Sequence, residues 1–357
     1  MTPYRVAIIG TGRMSGPIED DDPGVERLAA TNRDFVLPYG HVQSYAAVEE
    51  TEVVAAADID RDRVEAWCAR YGVPNAYVDV DELLERERPD IVSITTGAQG
   101  RAEIIAKAAA AGVRGIWAEK ALCTSTDEAA AIRRVCEQHS VQLQYGPIRR
   151  FWSGYERGRG VIASGEIGEP IGLVAYGGWR LFYELTHSID DALYLLGDPP
   201  AHAVSALLRD TQVTRDDEGV YHLERDSEVI SACFELERGV RVVFGPFYPG
   251  DVEVAGTKGF VRCHEDSRSW TVSMRHGDGL RTRELDYTGT SAGVAKVRDL
   301  LHAVKTGEPG RSNLAVTLRG MEIAFAAVVS HARGGARVEL PLAESVVAGE
   351  GRLTPLP

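Results

Sequence analysis

The first third of the chain alternates short apolar runs with amphipathic segments. Five apolar runs have the length and composition of buried strands: YRVAII (4–9), EVVAAAD (52–58), DIVSITT (90–96), GIWAEK (115–120) and VQLQYG (141–146). The segments between them show helical spacing of apolar residues over 60–71, 79–87, 101–111 and 126–139. Strands that alternate with helices of this length predict an α/β fold with a doubly wound parallel sheet of the Rossmann type, here over residues 1–147.

The pattern changes after about residue 150. Helical spacing recurs over 154–164, 187–196, about 294–306 and about 314–333, and several β-rich runs lie between these segments. Short glycine-containing turns such as ELERGVRV and AGTKGF join some of those runs, as in hairpins. We therefore expect residues 148–357 to form an α+β domain with an open, mostly antiparallel sheet.

Residues 16–40 follow neither pattern. This stretch contains four consecutive acids, Glu19 to Asp22, followed by Pro23. It is expected to form a solvated loop inserted beside the first glycine turn. A loop of this length inside a compact domain often has a functional role.

Composition excludes several classes of function. The 357 residues include 39 Lys+Arg and 53 Asp+Glu, a formal net charge of −14, which argues against partners such as nucleic acid or an anionic membrane surface. We see no apolar run near the ~20 residues that span a bilayer, and the N-terminus is typical of a strand rather than a signal peptide. The five cysteines form no CxxC pair, so we expect no metal site and a cytoplasmic location.

A glycine-rich turn follows the first strand. In IIGTGRMS, Gly10 permits a tight turn and Gly12 permits close approach of a pyrophosphate, with Thr11, Arg13 and Met14 beside it. The second strand ends at Asp58, where an acid hydrogen-bonds the adenosine ribose. Asp58 favours NAD, whereas Arg13, Arg61 and Arg63 leave NADP possible as the cofactor.

Seven segments in order resemble the Gfo/Idh/MocA family of NAD(P)-dependent oxidoreductases, which includes inositol dehydrogenases. The matching segments are GTGRM, ERPDIVSITT, WAEKALCTSTDEA, YGPIRRFWSGYERGRGVIASGEIGEP, GGWRLFYELTHSIDDALYLLGDP, VAGTKGFVRC and SNLAVTLRGMEIAFAAVVSHARGGARVELP. The resemblance covers nearly the full length. It implies a Rossmann domain followed by an α/β domain whose open sheet commonly forms homodimers or homotetramers.

The resemblance also assigns roles to individual residues. Lys120, after Glu119, matches the family lysine that contacts the nicotinamide ribose and the substrate hydroxyl. His187 in LTHSIDD matches the family proton acceptor, and Asp190, one turn later, either orients its ring or is an ordinary acid on the helix face. Thr95 and Thr96 are expected to contact the cofactor.

This chain departs from the family pattern at three places. Tyr183 stands where the family usually has Asp, four residues before the histidine. It can donate a proton or hold a hydroxyl, so it joins Lys120 and His187 as a catalytic candidate, although its high pKa makes it a poor base. The family proline after Glu119–Lys120 is Ala121, so we expect a trans bond there, or else strain retained for function. The loop after the fourth strand reads Gly97 to Arg101, and Arg101 either contacts the substrate or caps the helix.

Further residues are candidates for substrate binding. Arg149 and Arg150 match a family position that borders the substrate, although pairing with acids at the domain interface is an alternative. Trp179 is placed at the substrate, and Tyr145, Trp152 and Tyr155 either line the pocket or belong to the core.

Three functions remain open at this stage. The leading one is hydride transfer between nicotinamide and a secondary alcohol or ketone of a sugar, cyclitol or related polyol. The second is a lyase or glycosidase that oxidises a ring carbon transiently with no net redox change. The third is a dinucleotide sensor without catalytic activity.

Overall fold

We describe the protein from a computed structural model, which describes residues 2–177, 180–245 and 250–348. The N-terminal part forms a six-stranded parallel sheet in the order β3-β2-β1-β4-β5-β6. Its strands are β1 (Tyr4–Ile9), β2 (Thr51–Ala57), β3 (Asn75–Tyr77), β4 (Ile91–Ile94), β5 (Gly115–Ala118) and β6 (Gln142–Tyr145). The predicted Rossmann sheet is therefore confirmed.

Helices connect these strands, and three of them begin after a residue whose side chain caps the first turn. The connecting helices are α3 (His41–Ala46), α4 (Arg61–Tyr71), α5 (Val80–Glu87), α6 (Arg101–Ala110) and α7 (Thr126–His139). The side chains of Asp60, Asp79 and Ser125 accept hydrogen bonds from backbone N–H groups in the first turns of α4, α5 and α7. Each of these caps is local in sequence, which is why the helices could be predicted.

The segment 16–40 is not the solvated loop that we expected. It contains two short helices, α1 (Pro17–Asp21) and α2 (Pro23–Thr31), and Asp22 caps α2 by accepting a hydrogen bond from Gly24 N. The acids are paired. Glu19 accepts from the backbone N–H of Tyr39 at 2.7 Å, and Asp21 pairs with Arg70 at 2.8 Å. The acidic run therefore ties the insertion to the Rossmann domain.

The second sheet has nine strands in the order β16-β15-β14-β13-β7-β12-β11-β8-β17. Its strands are β7 (Pro170–Tyr176), β8 (Ala201–Leu208), β11 (Val229–Leu236), β12 (Arg241–Gly245), β13 (Val252–Gly256), β14 (Gly259–His264), β15 (Ser269–His276), β16 (Gly279–Glu284) and β17 (Val338–Glu339). Neighbours pair antiparallel except β7 and β12, which are parallel. The expectation of an open, mostly antiparallel sheet is confirmed.

A small three-stranded sheet, β18-β10-β9, lies beside it. Its strands are β9 (Val213–Arg215), β10 (Tyr221–Leu223) and β18 (Val346–Ala348). Helices α8 (Ser153–Ala163), α9 (Thr186–Leu195) and α11 (Leu314–Ala332) pack against strands of the large sheet. Burial alternates along β8 and β11, so one face of the large sheet is covered and the other is open.

Two late helices pack on different layers. Helix α10 (Ala292–Thr306) returns to the first sheet, where Val297, Leu300 and Leu301 pack with Val6 and Trp117. Helix α10 therefore completes the core of the first domain, although it follows the second domain's strands in the sequence. The domain boundary at residue 147 stays a proposal.

Helix α11 is long and apolar enough, by length and composition only, to cross a membrane. Arg319 and Glu322 lie within it, so it is not the apolar run of ~20 residues that the sequence was expected to lack. In addition, 67% of its apolar window is buried, and it packs against β8 and α9. We assign it to the core of the second domain, because a buried core helix has the same composition.

Candidate active site

The glycine turn after β1 has the geometry that a dinucleotide needs. Gly10 has φ +91°, and a Cβ there would lie 2.9 Å from the backbone N of Thr96. A Cβ at Gly12, by contrast, would meet no atom within 4 Å. The protein itself therefore does not require glycine at position 12. The open space there suits the close approach of a phosphate.

Asp58, just after β2, closes this end of the site. Its carboxylate accepts hydrogen bonds from Thr11 N at 2.8 Å and Thr11 Oγ1 at 2.9 Å, and it pairs with Arg63. Burial alone would raise the pKa of Asp58, but the bonds from Arg63 and Thr11 outweigh it and lower the pKa. Asp58 is therefore an ionised acceptor beside a cleft of about 430 Å³ that also includes Gly10 and Gly12.

Replacing Asp58 with alanine is expected to relax the preference for NADH over NADPH by about 10-fold or more. The variant loses an ionised acceptor for the ribose hydroxyls, worth about 1.5–3 kcal/mol, and frees Arg63 to meet a 2′-phosphate. Fluorescence titration with NADH and NADPH measures the ratio of the two Kd values. Glu85→Ala, the same charge change at an exposed position of α5, is the control. An unchanged ratio would show that other residues decide the preference.

The carboxyl ends of β4 and β5 carry the next group of candidates. Thr95 N donates to Ile9 O at 2.9 Å, and Thr95 and Thr96 line both the Asp58 cleft and an adjoining cleft of about 380 Å³. Arg13, Met14, Glu119 and Lys120 line the second cleft. These side chains thus extend one groove along the sheet edge where ligands bind in doubly wound folds.

Arg101 takes neither of the roles expected for it. Its side chain is fully buried, and the guanidinium donates to the backbone carbonyls of Thr96, Ala121 and, at 2.5 Å, Glu119. Burial lowers the pKa of Arg101 to about 10. Arg101 therefore ties together the ends of β4 and β5.

The Lys120–Ala121 peptide is cis, so the expectation of a trans bond was wrong. Alanine occupies the position that proline holds in the family, and the cis geometry is present without the proline ring. The bond directly follows the candidate lysine.

His41 is a buried partner of Glu119 that the sequence analysis missed. Its ring stacks on Trp117 at 3.6 Å between centroids, Nδ1 lies 2.5 Å from Ser93 Oγ and Nε2 lies 3.3 Å from Glu119 Oε1. Burial lowers the pKa of His41, so the neutral ring accepts from Ser93 and donates to Glu119. The only signal in the sequence was its position at the start of α3.

Glu119 is ionised although it is buried. Burial would raise its pKa, but the hydrogen bond from His41 and the nearby cations Lys120 and Lys296 lower the pKa below its usual value. The ionised Glu119 places a negative charge beside Lys120.

Lys120 lies where the second cleft meets a third, of about 360 Å³. Its Nζ donates to Tyr183 O at 3.2 Å and lies 3.3 Å from the centroid of the Tyr183 ring. Burial lowers the pKa of Lys120 to about 8, against the opposing charges of Glu119 and Glu184. Lys120 can therefore change protonation near neutral pH.

His187 lines the same two clefts, in the first turn of α9. A π-helical turn, Leu181–Leu185, precedes α9, and Asp226 accepts from the backbone N–H groups of Phe182 and Tyr183 at 2.9 and 3.0 Å. Burial and the positive charges of Lys120 and Arg149 lower the pKa of His187 well below its usual value. The imidazole is thus neutral and able to accept a proton.

Tyr183 does not replace the missing family carboxylate as a base. Burial raises its pKa above the usual value, and its ring covers Lys120. A neutral phenol in the cleft can hold a substrate hydroxyl by a hydrogen bond. Its position therefore favours a role in holding the substrate.

Arg150 and Asp190 are not where a substrate could reach them. Arg150 Nε donates to both carboxylate oxygens of Asp190 at 2.8 Å, and Arg150 Nη1 lies 2.7 Å from Asp198 Oδ1. Both Arg150 and Asp190 are buried. A buried arginine needs such partners, because it has no water to solvate its charge. Arg150 thus follows the alternative expectation of pairing with acids. The structure supports neither the substrate role expected for Arg150 and Asp190 nor the orientation of His187 by Asp190.

Arg149, in contrast, lines the third cleft together with Asp191 and Asp266. Its guanidinium lies 3.2 Å from Asp191 and 2.7 Å from Asp266, so its charge is balanced. Trp152 also lines this cleft, whereas Tyr145 and Tyr155 are buried. Trp179, the remaining substrate candidate, lies outside the described residues.

Comparison with known proteins shows which proteins the chain is similar to. Residues 4–147 match the Gfo/Idh/MocA oxidoreductase family, NAD-binding Rossmann fold. The chain is 25% identical to D-apiose dehydrogenase of Paraburkholderia graminis over 264 residues (68% of each protein). It is 23% identical to myo-inositol 2-dehydrogenase of Thermotoga maritima over 294 residues (75% of this chain and 85% of the relative).

Solved structures share the whole fold. A levoglucosan dehydrogenase in complex with NADH and L-sorbose superposes with a TM-score of 0.75 at 19% identity, covering 96% of this chain and 100% of that one. Among the described residues, no cluster of three His, Cys, Asp or Glu side chains could hold a metal ion. The N-terminal part of the chain therefore matches the NAD-binding Rossmann fold of the Gfo/Idh/MocA oxidoreductases.

Proposed function

We propose that the protein transfers a hydride between nicotinamide and a secondary alcohol or ketone of a sugar, cyclitol or related polyol. The observation that carries this proposal is the meeting of Lys120 and His187 where the dinucleotide groove joins the third cleft. Relatives named for the oxidation of apiose and myo-inositol support the substrate class.

Different residues of this chain would bind the two halves of NAD and accept the substrate proton. Gly10, Gly12 and Asp58 would hold the adenosine diphosphate half of NAD, and Arg13, Met14, Thr95, Thr96, Glu119 and Lys120 would surround the nicotinamide half. NAD, when bound, would supply the acceptor for the hydride of the substrate carbon. His187 Nδ1 or Nε2 takes the hydroxyl proton, because its lowered pKa keeps it neutral.

Lys120 stabilises the developing alkoxide as an ammonium ion. Its pKa of about 8 means that this cation is present at neutral pH and is lost in alkaline solution. Arg149 is paired with two carboxylates, which favours a neutral polyol over a carboxylate substrate.

A screen of neutral sugars and cyclitols with NAD⁺ and NADP⁺ tests the proposal. We expect at least one of myo-inositol, D-glucose and D-apiose to yield NADH in equal amount with a ketone or lactone product. Nicotinamide absorbance and chromatography of the products measure the two amounts. Product without net NADH would favour the lyase or glycosidase, and tight NADH binding without any product would favour the sensor.

We further propose a homodimer or homotetramer formed through the open face of the second sheet. Leu207 on β8, Ile230 on β11 and Val243 on β12 are exposed apolar side chains on neighbouring strands. Covering such a patch removes apolar surface from water.

We also propose a cytoplasmic location. The free thiols of the five cysteines are consistent with it.

A further inference from the structure

The insertion 16–40 supplies one wall of the third cleft. Leu28, Phe35 and Tyr39 from this segment line the third cleft, with Lys120 and His187, and they also line the adjoining second cleft. Phe35 lies 4.7 Å from Tyr39 and 6.4 Å from Trp152 between ring centroids, and the contact with Trp152 is edge-to-face. Three aromatic side chains thus form a continuous surface, which we call the aromatic wall (Phe35, Tyr39 and Trp152).

The second domain holds this wall in place. Asp34, next to Phe35, is fully buried, and its two carboxylate oxygens accept from Gly154 N at 3.0 Å. Ser267 Oγ donates to Asp34 at 2.5 Å. A Cβ at Gly154 would lie 2.4 Å from Asp34 Oδ2, so the helix α8 can approach this carboxylate only through a glycine.

Two neighbours of Asp34 strengthen the same connection. Asn32 Nδ2 donates to the carbonyl of Asp266 at 2.6 Å, and Arg33 pairs with Glu284 at 2.6 Å. Asp266 is the residue that balances Arg149 in the cleft. The insertion therefore fixes both the aromatic wall and the backbone of a charged residue in the cleft.

We propose that the insertion is the substrate-recognition element of this enzyme, and that its aromatic wall packs against the apolar face of a ring-shaped polyol. This inference rests on the proposed function. Rings such as pyranoses and cyclitols expose C–H groups on one face, which pack on aromatic surfaces, while their hydroxyls reach polar groups elsewhere in the cleft. Acyclic polyols have no rigid apolar face of this kind.

The test compares Phe35→Ala and Phe35→Leu with Val36→Ala, a matched control in the same segment. Val36 is 37% exposed and does not line the cleft. For ring substrates among myo-inositol, D-glucose and D-apiose, we expect KM to rise about 10-fold or more in Phe35→Ala, with kcat changed only a few-fold. In Phe35→Leu, we expect a KM for these ring substrates between those of the wild type and Phe35→Ala. The KM for xylitol, an acyclic polyol, is expected to change little in either variant.

Binding provides a readout that does not depend on turnover. Calorimetric titration of the NADH-loaded protein with the same sugars should show a similar loss of affinity for ring polyols in Phe35→Ala. The Kd for NADH should stay within a few-fold. If wild type binds a ring polyol through Phe35 without net NADH formation, the recognition proposal stands and the hydride-transfer proposal fails. Equal loss for ring and acyclic polyols, or no ring polyol binding by wild type, would overturn the recognition proposal.

Discussion

Replacing Lys120 with methionine is expected to lower kcat for polyol oxidation by about 10²–10³-fold. Methionine keeps the length of the side chain but removes the cation that faces the developing alkoxide, a loss of the size seen when one such donor is deleted. Steady-state kinetics with the best substrate of the screen measure the change. The Kd for NADH should stay within a few-fold, because the adenosine half of the site is untouched.

The pH profile gives Lys120 a second signature. Its ordinary pKa of 10.5 is lowered to about 8, so kcat/KM of the wild type should fall as pH rises through about 8. That falling limb should be absent in Lys120→Met. Lys107→Met, which removes an exposed ammonium from α6, should leave both kcat and the limb unchanged. Normal turnover by Lys120→Met would contradict its role.

Replacing His187 with alanine is expected to lower turnover by about 10²–10⁴-fold while NADH still binds. The neutral imidazole has a free ring nitrogen to accept the hydroxyl proton at the junction of the two clefts, and Tyr183 cannot replace it because burial raises its pKa. Steady-state assays measure the loss, and fluorescence titration measures NADH binding.

Imidazole added to His187→Ala should restore part of the activity, which a purely structural role would not produce. His187→Gln keeps most of the side-chain volume and should remain inactive. His222→Ala, at an exposed histidine paired with Asp216, should keep wild-type turnover. Near-normal activity of His187→Ala would exclude it as the proton acceptor.

Much of the first domain could be predicted because its signals are local. The Gly10 turn, the acid at the end of β2 and the caps of α4 and α5 each involve residues close in sequence. Lys120 and His187 were assigned through the family resemblance, and the structure places both at one junction of clefts.

The sequence-based predictions were wrong where the position of a side chain depends on partners that are distant in the sequence. Arg150 next to Arg149 in sequence was expected to share its environment. The structure instead turns Arg150 into the core against Asp190 and leaves Arg149 in the cleft. Neighbours in a 3₁₀ turn point in different directions, and only the packing of α9 decides which of them meets solvent.

The acidic insertion shows the same limit. Four acids and a proline predicted a solvated loop, but Arg70 and the backbone of residues 39 and 40 pair with the acids and stabilise two short helices. Those partners are distant in sequence from most of the run, and no local pattern identifies them. His41 was likewise missed, because a histidine gains its partners Ser93 and Glu119 only when β4 and β5 lie side by side.

The sequence by itself determined the two-part α/β organisation, the dinucleotide turn and the resemblance to the Gfo/Idh/MocA family, since these depend on periodicity and on short motifs with fixed spacing. The tertiary structure decided which charges are balanced, which residues face the cleft and which domain holds Phe35 in place. Those properties depend on side chains brought together from distant parts of the chain, such as Asp34 with Gly154 and Ser267, and burial gives their contacts their strength.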